Sequence, residues 1–118
     1  MKTNSTEMVK PAIKLLYSTK TDLSLVNLVL YGAEEEGIPV EAHSVAVDNA
    51  LALGIVASKI STLGTGIGLS STEAVVHYEK LPPHTPVYAT TVSAGAEALR
   101  RAGINGARLV KRMPLRIE

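Results

Sequence analysis

Two segments of helical length in this chain are apolar around almost their whole circumference. They are residues 23–31 (LSLVNLVLY) and 47–57 (VDNALALGIVA), and the second has only Asp48 and Asn49 as clearly polar side chains. A helix on the face of an open sheet normally has one apolar stripe and one polar face. We therefore expect both helices to be buried on two sides. A crowded interior would achieve this, but in so short a chain we favour a protein interface.

The length and composition restrict the classes of protein to consider. A chain of 118 residues has room for one packed core. Hydrophobic residues make up 46% of it without any Phe or Trp, so the core must consist of Val, Leu, Ile and Ala. The absence of cysteine excludes disulfides, thiolate metal sites and a Cys nucleophile, and suits a reducing cytoplasm. Residues 1–9 are polar and predict a flexible N-terminal arm, which leaves residues 10–118 as one domain.

Short apolar runs and helical segments alternate along the first half of the chain. Strands are expected at residues 11–17, 38–44, 66–70, 74–78 and 86–91, and helices at 23–36, 47–59, 93–101 and 105–111. Alternation of this kind predicts the α/β fold class. Ser71 and Thr72 predict one short hairpin between the third and fourth strands. Gly103 is expected to close the third helix, and Asn105 to cap a fourth.

Charge is distributed unevenly, although the net charge is only +1. Residues 1–60 carry five Lys against seven Asp or Glu, and residues 97–118 carry six Lys or Arg against two Glu. A basic end can indicate nucleic-acid binding. Here it lies on helix-like sequence with little aromatic interleaving, which favours a solvated face or an acidic protein partner. No segment has the roughly 18 apolar residues that a membrane span needs.

No arrangement of side chains indicates catalysis. The glycines of residues 64–68 (GTGIG) follow a helix and open a strand, whereas a dinucleotide-binding loop does the reverse. They are interpreted as a flexible connection. His43, His77 and His84 lack the spacing of a helical zinc pair, and no serine stands in a recognisable nucleophile turn.

Glu34, Glu35 and Glu36 stand at the C-terminal end of a predicted helix, just before Gly37. Carboxylates at this end oppose the helix dipole, at a cost of roughly 0.3–1 kcal/mol each when exposed. We expect a cation or a basic partner surface to offset that cost. One glutamate could complete a magnesium site whose other ligands lie on another chain, since magnesium often takes only one or two carboxylates. A solvated helix end is the alternative.

Three blocks of sequence resemble a known family. Residues 34–39 (EEEGIP), 75–82 (VVHYEKLP) and 107–111 (ARLVK) are similar to the small subunit of the diol and glycerol dehydratase reactivases. Those reactivases serve adenosylcobalamin-dependent dehydratases. The blocks occur in the family's order and run from the first helix to the C-terminal segment.

The resemblance implies a fold and a function. The expected fold is a three-layer, Rossmann-like or flavodoxin-like domain with a mostly parallel sheet, similar to the dehydratase medium subunit. The expected role is a non-catalytic subunit that pairs with a large ATPase subunit in a hetero-oligomer of two large and two small chains. ATP or ADP is then expected only on the large subunit. The complex is expected to release damaged cobalamin from inactivated dehydratase, as the dehydratase's similar subunit takes the place of the small one.

The resemblance also implies site residues. In that family a glutamate in the middle of the EEEGIP block helps to hold a magnesium ion (Mg²⁺) at the subunit interface, and that position is Glu35 here. The partner interface is expected to include Glu34, Glu35 and Glu36, together with Leu28 and Tyr31 of the same helix. No catalytic or cofactor-binding residue is assigned. A cytoplasmic location, associated with a bacterial microcompartment, is implied as well, with neither nucleic acid nor membrane as a partner.

Two other functions compete with this one. The chain could be a medium subunit of the dehydratase itself and contribute to cobalamin binding. Such subunits are longer, and this sequence lacks the D-x-H-x-x-G signature of separate cobalamin-binding domains. A free-standing flavodoxin-like regulatory domain ranks last, because residues 17–20 (YSTK) offer no acidic cluster after the first strand.

Overall fold

The alternating sequence pattern produces a three-layer α/β fold in the computed structural model, which describes residues 11–117. The strands are β1 (Ile13–Ser18), β2 (Val40–Val45), β3 (Thr65–Leu69), β4 (Glu73–Tyr78) and β5 (Tyr88–Thr91). The helices are α1 (Leu23–Glu35), α2 (Ala50–Ile60) and α3 (Ala96–Lys111), and a 3₁₀ turn, Val92–Ala94, precedes α3. The predicted N-terminal arm of residues 1–9 lies outside the described residues. No helix in the described range is long and apolar enough to cross a membrane.

The five strands form one mixed sheet in the order β2-β1-β3-β4-β5. Strand β1 pairs in parallel with β2 and β3, whereas the β3–β4 and β4–β5 pairs are antiparallel. The expected α/β class is confirmed, but the sheet is only half parallel. The connections after β3 and after β4 are too short for parallel pairing, because a parallel pair needs a crossover of a dozen or more residues.

The core is aliphatic, as the composition predicts. Its largest fully buried aliphatic side chains come from the central strands and from the inner faces of α1 and α3: Ile13, Leu15, Ile67, Leu69, Val76, Val29, Leu99 and Ile104. A smaller cluster of Leu16, Leu53 and Ala57 lies under α2 on the opposite face of the sheet. Helices α1 and α3 therefore share one face, and α2 lies on the other.

Helix α3 is one continuous helix, which corrects the prediction of two shorter ones. Gly103 lies in its interior and is buried. A Cβ atom at Gly103 would overlap the carbonyl oxygen of Val29 in α1, and one at Gly32 would overlap that of Arg100 in α3. These two glycines let the backbones of α1 and α3 touch where they cross, so Gly103 serves packing rather than helix termination.

The glycine run at residues 64–68 also has a packing role. Gly66 and Gly68 lie in β3, and a Cβ atom at Gly68 would overlap the carbonyl oxygen of Ala50 at the start of α2. The run is therefore the strand against which α2 packs closely, rather than a flexible connection. The side chain of Asn49 caps α2 by accepting a hydrogen bond from the backbone N–H of Ala52 at 3.0 Å.

Asp48 lies before α2, outside the helix in which the sequence placed it. Its carboxylate accepts hydrogen bonds from the backbone N–H and the hydroxyl of Ser71, at 2.8 and 2.7 Å. The hydroxyl bond, followed by the backbone bond, holds the pKa of Asp48 below its usual range. The carboxylate thus ties the loop before α2 to the β3–β4 turn.

Candidate partner-binding surface

The acidic end of α1 has a well-defined geometry. Glu35 is the last residue of the helix and Glu36 follows as its C-cap. Gly37 has a φ of +77°, in the left-handed region that glycine adopts readily. Its backbone N–H donates to the carbonyl oxygen of Glu34 at 3.0 Å, and that of Glu36 donates to Ala33 at 3.0 Å. The helix therefore ends where Gly37 and Pro39 predict.

Basic side chains of α3 neutralise two of the three glutamates. Arg100 Nη1 lies 3.2 Å from Glu35 Oε2. Lys111 Nζ lies 2.8 Å from Glu36 Oε1, and Arg108 Nη2 lies 3.3 Å from Glu36 Oε2. For Glu35 and Glu36 the cost is thus offset by α3 of the same chain, whereas a cation or a basic partner surface was expected.

Glu36 is the more enclosed of the two paired glutamates, and its environment gives a pH-dependent prediction. The Lys111 hydrogen bond, with the nearby charge of Arg108, outweighs burial and lowers the pKa of Glu36. A carboxylate with a lowered folded-state pKa stabilises the fold above its unfolded pKa and loses that contribution as the pH falls through the folded value. We expect Glu36→Gln to lower the free energy of unfolding by about 1 kcal/mol at neutral pH. The difference should shrink as the pH falls below the ordinary glutamate value of 4.5.

Urea unfolding of both proteins over a pH series would measure this difference. Glu97→Gln is the matched control, because Glu97 forms a single, more exposed ion pair with Arg100 at 3.4 Å. If the difference in the free energy of unfolding between wild type and Glu36→Gln stayed constant down to acidic pH, the lowered pKa of Glu36 would be contradicted.

Glu34 and Glu35 are the glutamates available to a partner. The Glu35 side chain is 46% exposed and shares Arg100 with Glu97. Carboxylate oxygens suit Mg²⁺, which needs near-octahedral coordination and keeps several waters. Across residues 11–117 no three acidic or histidine side chains group closely enough to hold a metal ion. The exposed Glu35 carboxylate can supply one such ligand, and the remaining ligands of a magnesium site would come from other molecules.

An exposed stripe leads along α1 to these glutamates. Leu23, Asn27, Tyr31 and Glu34 follow one another at helical spacing, and all four are exposed. Leu23 is 62% and Tyr31 is 52% exposed, which is high for large apolar or aromatic side chains. Leu28 points elsewhere: it is partly buried and packs against the main core. Of the five expected interface residues, Tyr31 and Glu34 share this stripe, whereas Glu35 and Glu36 face α3.

The histidines do not converge on a site. His43 and His84 are exposed, whereas His77 is buried in β4. The ring nitrogens of His77 lie 3.0 Å from the carbonyl oxygen of Tyr78 and 3.3 Å from that of Pro83. These contacts hold the proline-rich connection after β4 against the sheet, so the role of His77 is structural.

Sequence reasoning missed the intramolecular partners of the glutamates. It identified the basic character of residues 97–118 but assigned it to solvent or to an acidic partner. One signal was available: Arg100, Arg108 and Lys111 recur at helical spacing, and a cationic face of that kind can meet an acidic helix end. The pairing still depends on how α1 and α3 cross, which no local pattern reveals.

Comparison with known proteins identifies the family. Residues 10–116 match the family model described as dehydratase medium subunit. The chain is 36% identical over 109 residues to a propanediol dehydratase-reactivating factor small subunit of Citrobacter freundii, covering 92% of this chain and 93% of that one. Its fold is similar to that of a glycerol dehydratase reactivase, with a TM-score of 0.85 and 32% identity over 91% of this chain and 97% of the other. A diol dehydratase-reactivating factor complexed with ADP and Mg²⁺ gives a TM-score of 0.84 and 34% identity, over 92% and 99% of the two chains.

The chain therefore belongs to the dehydratase medium subunit family, among the small subunits of dehydratase-reactivating factors. This confirms the resemblance found in the sequence. These relatives are reactivating-factor subunits, so the alternative of a dehydratase medium subunit is not favoured.

Proposed function

We propose that this chain is the non-catalytic small subunit of an ATP-dependent chaperone that reactivates adenosylcobalamin-dependent diol or glycerol dehydratase. The observation that carries the proposal is its similarity to reactivating-factor small subunits over nearly the whole chain. The ATPase belongs to a large partner subunit, and the two form a hetero-oligomer of two large and two small chains. The complex works in the cytoplasm, associated with a bacterial microcompartment.

The stripe on α1 is the surface that we assign to the large subunit. It combines exposed apolar area at Leu23 and Tyr31 with an acidic end at Glu34, and Glu35 lies beside that end on the side towards α3. Aromatic side chains surrounded by polar groups are typical anchors of protein interfaces. Helix α1 packs against α3 and contributes Val26 and Val29 to the main core, so it presents this stripe as a firm surface.

Glu35 is the proposed Mg²⁺ ligand at that interface. The ion, when bound, supplies positive charge that holds the two subunits together through shared oxygen ligands. Before it can ligate, the Glu35 carboxylate must loosen its 3.2 Å ion pair with Arg100. Arg100 keeps a partner when this happens, because Glu97 lies 3.4 Å from its other terminal nitrogen. The chain can thus release one carboxylate without leaving a guanidinium unpaired.

Reactivation then follows from exchange between similar subunits. The dehydratase medium subunit and this chain share a family, so they present similar surfaces to a common binding site. The nucleotide can shift the exchange between the two subunits only if this chain binds the two nucleotide states of the large subunit with different affinities. Release of the small subunit opens the site to the dehydratase, from which damaged cobalamin leaves.

The test is to produce the chain with the large subunit encoded beside it and to measure their affinity with Mg²⁺ and with a chelator. We expect a stable complex, and we expect Glu35→Gln to weaken it about tenfold in Mg²⁺, which corresponds to ~1.4 kcal/mol. In chelator the variant and the wild type should bind alike, because the metal contribution is then absent from both.

Glu97→Gln is the matched control, since it also removes one carboxylate from Arg100 but lies on α3 outside the proposed metal site. Glu97→Gln should gain as much affinity for the large subunit from Mg²⁺ as the wild type does. If Glu35→Gln binds as tightly as wild type in Mg²⁺, Glu35 is not a ligand, although the complex can still form. If no complex forms at all, the proposed function itself fails.

A further inference from the structure

The face of the sheet that carries α2 is only partly covered. Helix α2 packs over β1, β3 and β4, and it is the only helix on this face among residues 11–117. The two antiparallel connections, β3–β4 and β4–β5, bring no helix with them. An open groove of about 410 Å³ lies beside α2 over β4 and β5, and its apolar lining is Leu51, Val75, Pro86 and Ala89.

Helix α2 itself carries an exposed apolar side. Ala52, Val56, Lys59 and Ile60 lie on its outer surface, and Val56 and Ile60 are 49% and 51% exposed. Lys59 is the only charged residue of the helix. The small side chain of Ala52 lets another backbone come near. This surface is apolar enough for a protein interface, and it lies on the opposite side of the sheet from the α1 stripe.

Two charged residues near α2 lie at opposite ends of the helix. Its N-terminal end lies over Gly68, and its C-terminal end lies over Gly66. Glu73, at the start of β4, belongs to the same end of the sheet as the helix N-terminus and lines the groove there. Lys59 is at the other end. Within residues 11–117 neither Glu73 nor Lys59 takes part in an ion pair.

We infer that this face binds a second copy of the chain, with the α2 helix of each copy lying antiparallel beside that of the other, over the groove along β4 and β5. A two-fold axis brings Lys59 of each copy to the end of the groove at which Glu73 of the other copy stands, so the favourable contact forms twice. The antiparallel arrangement also pairs opposite ends of the helix dipoles. An isologous contact of this kind closes on itself, and each copy buries its own exposed Val56 and Ile60.

Sedimentation of the purified full-length chain over a range of concentrations tests this inference. We expect a monomer–dimer equilibrium, and we expect Val56→Glu to abolish the dimer. Lys59→Glu and Glu73→Lys should each weaken dimerisation about tenfold, because each places like charges together twice. The double variant Lys59→Glu/Glu73→Lys should restore it, since the pair is re-formed with its signs exchanged.

Leu23→Glu is the matched control, because it places the same charge on the exposed side of α1 instead. It should leave the dimer intact. A chain that remains monomeric up to millimolar concentration would overturn the inference, and so would a double variant that stays as weak as the single ones. If Leu23→Glu abolished the dimer, self-association would belong to the α1 face. Loss of large-subunit binding in Val56→Glu, with the free chain monomeric, would assign the α2 face to the large subunit.

Discussion

Replacing Gly103 by alanine is expected to lower the free energy of unfolding by about 3 kcal/mol. The added methyl group would overlap the carbonyl oxygen of Val29 in the facing helix, and backbone cannot move aside as the end of a side chain can. Helices α1 and α3 would have to separate, which would loosen the ion pairs between Glu35, Glu36 and α3. Thermal unfolding should show a decrease in Tm of roughly 10 °C for a chain of this size.

The matched control lies one turn further along the same helix. A Cβ atom at Gly106 would lie 3.1 Å from Ile67 Cδ1, which is the mobile end of a side chain. Alanine also gains up to ~1 kcal/mol of helix propensity over glycine. Gly106→Ala should therefore be close to neutral. Equal Tm values for Gly103→Ala and wild type would show that α1 and α3 are not in backbone contact.

Asn105→Ala is expected to cost about 2 kcal/mol and to release the C-terminal segment. The Asn105 side chain is fully buried. Its amide nitrogen donates to the carbonyl oxygen of Arg116, and its oxygen accepts from the backbone N–H of Arg116, both at 2.7 Å. Truncation leaves both backbone groups of Arg116 without these partners and opens a small cavity in the protein.

Two measurements would check this prediction. Urea unfolding gives the change in stability, and trypsin cleavage after Arg112 reports release of the segment, since Arg112 directly follows α3. Asn27→Ala is the control, because Asn27 is exposed on α1 and should change neither measurement. If the variant lost stability but kept its resistance to trypsin, Asn105 would not be the residue that holds the C-terminal segment in place.

The sequence predicted the local elements well where one pattern dominates. The apolar runs at residues 66–70 and 74–78, with a serine turn between them, predicted β3 and β4 correctly. Helix α1 was also predicted nearly to its last residue, because Gly37 and Pro39 are strong termination signals.

The errors concern residues whose partners are distant in sequence. Gly103 has the local features of a helix terminator, and only the crossing with Gly32 explains why α3 continues through it. Asn105 is a good capping residue by type, but here it is satisfied by the backbone of Arg116 instead. The same limit applies to Glu35, whose pairing with Arg100 required the relative placement of two helices.

The sequence predicted where the candidate residues lie on the fold better than it predicted what they contact. The acidic block was correctly placed at the end of α1, and the exposed Tyr31 lies on the expected helix. Leu28 was expected at the interface, but α1 turns that residue towards its own core. Residue type alone cannot distinguish the inner and outer apolar sides of such a helix.

The crossing of α1 and α3 at Gly32 and Gly103 has a mechanical consequence. Two helices in backbone contact have no room to slide or tilt independently, so they move as a single stiff body. The face of the domain that α1 and α3 form is therefore expected to keep its shape on binding. In the proposed exchange of subunits, the strain that releases this chain would then arise in its partner rather than in the α1–α3 pair.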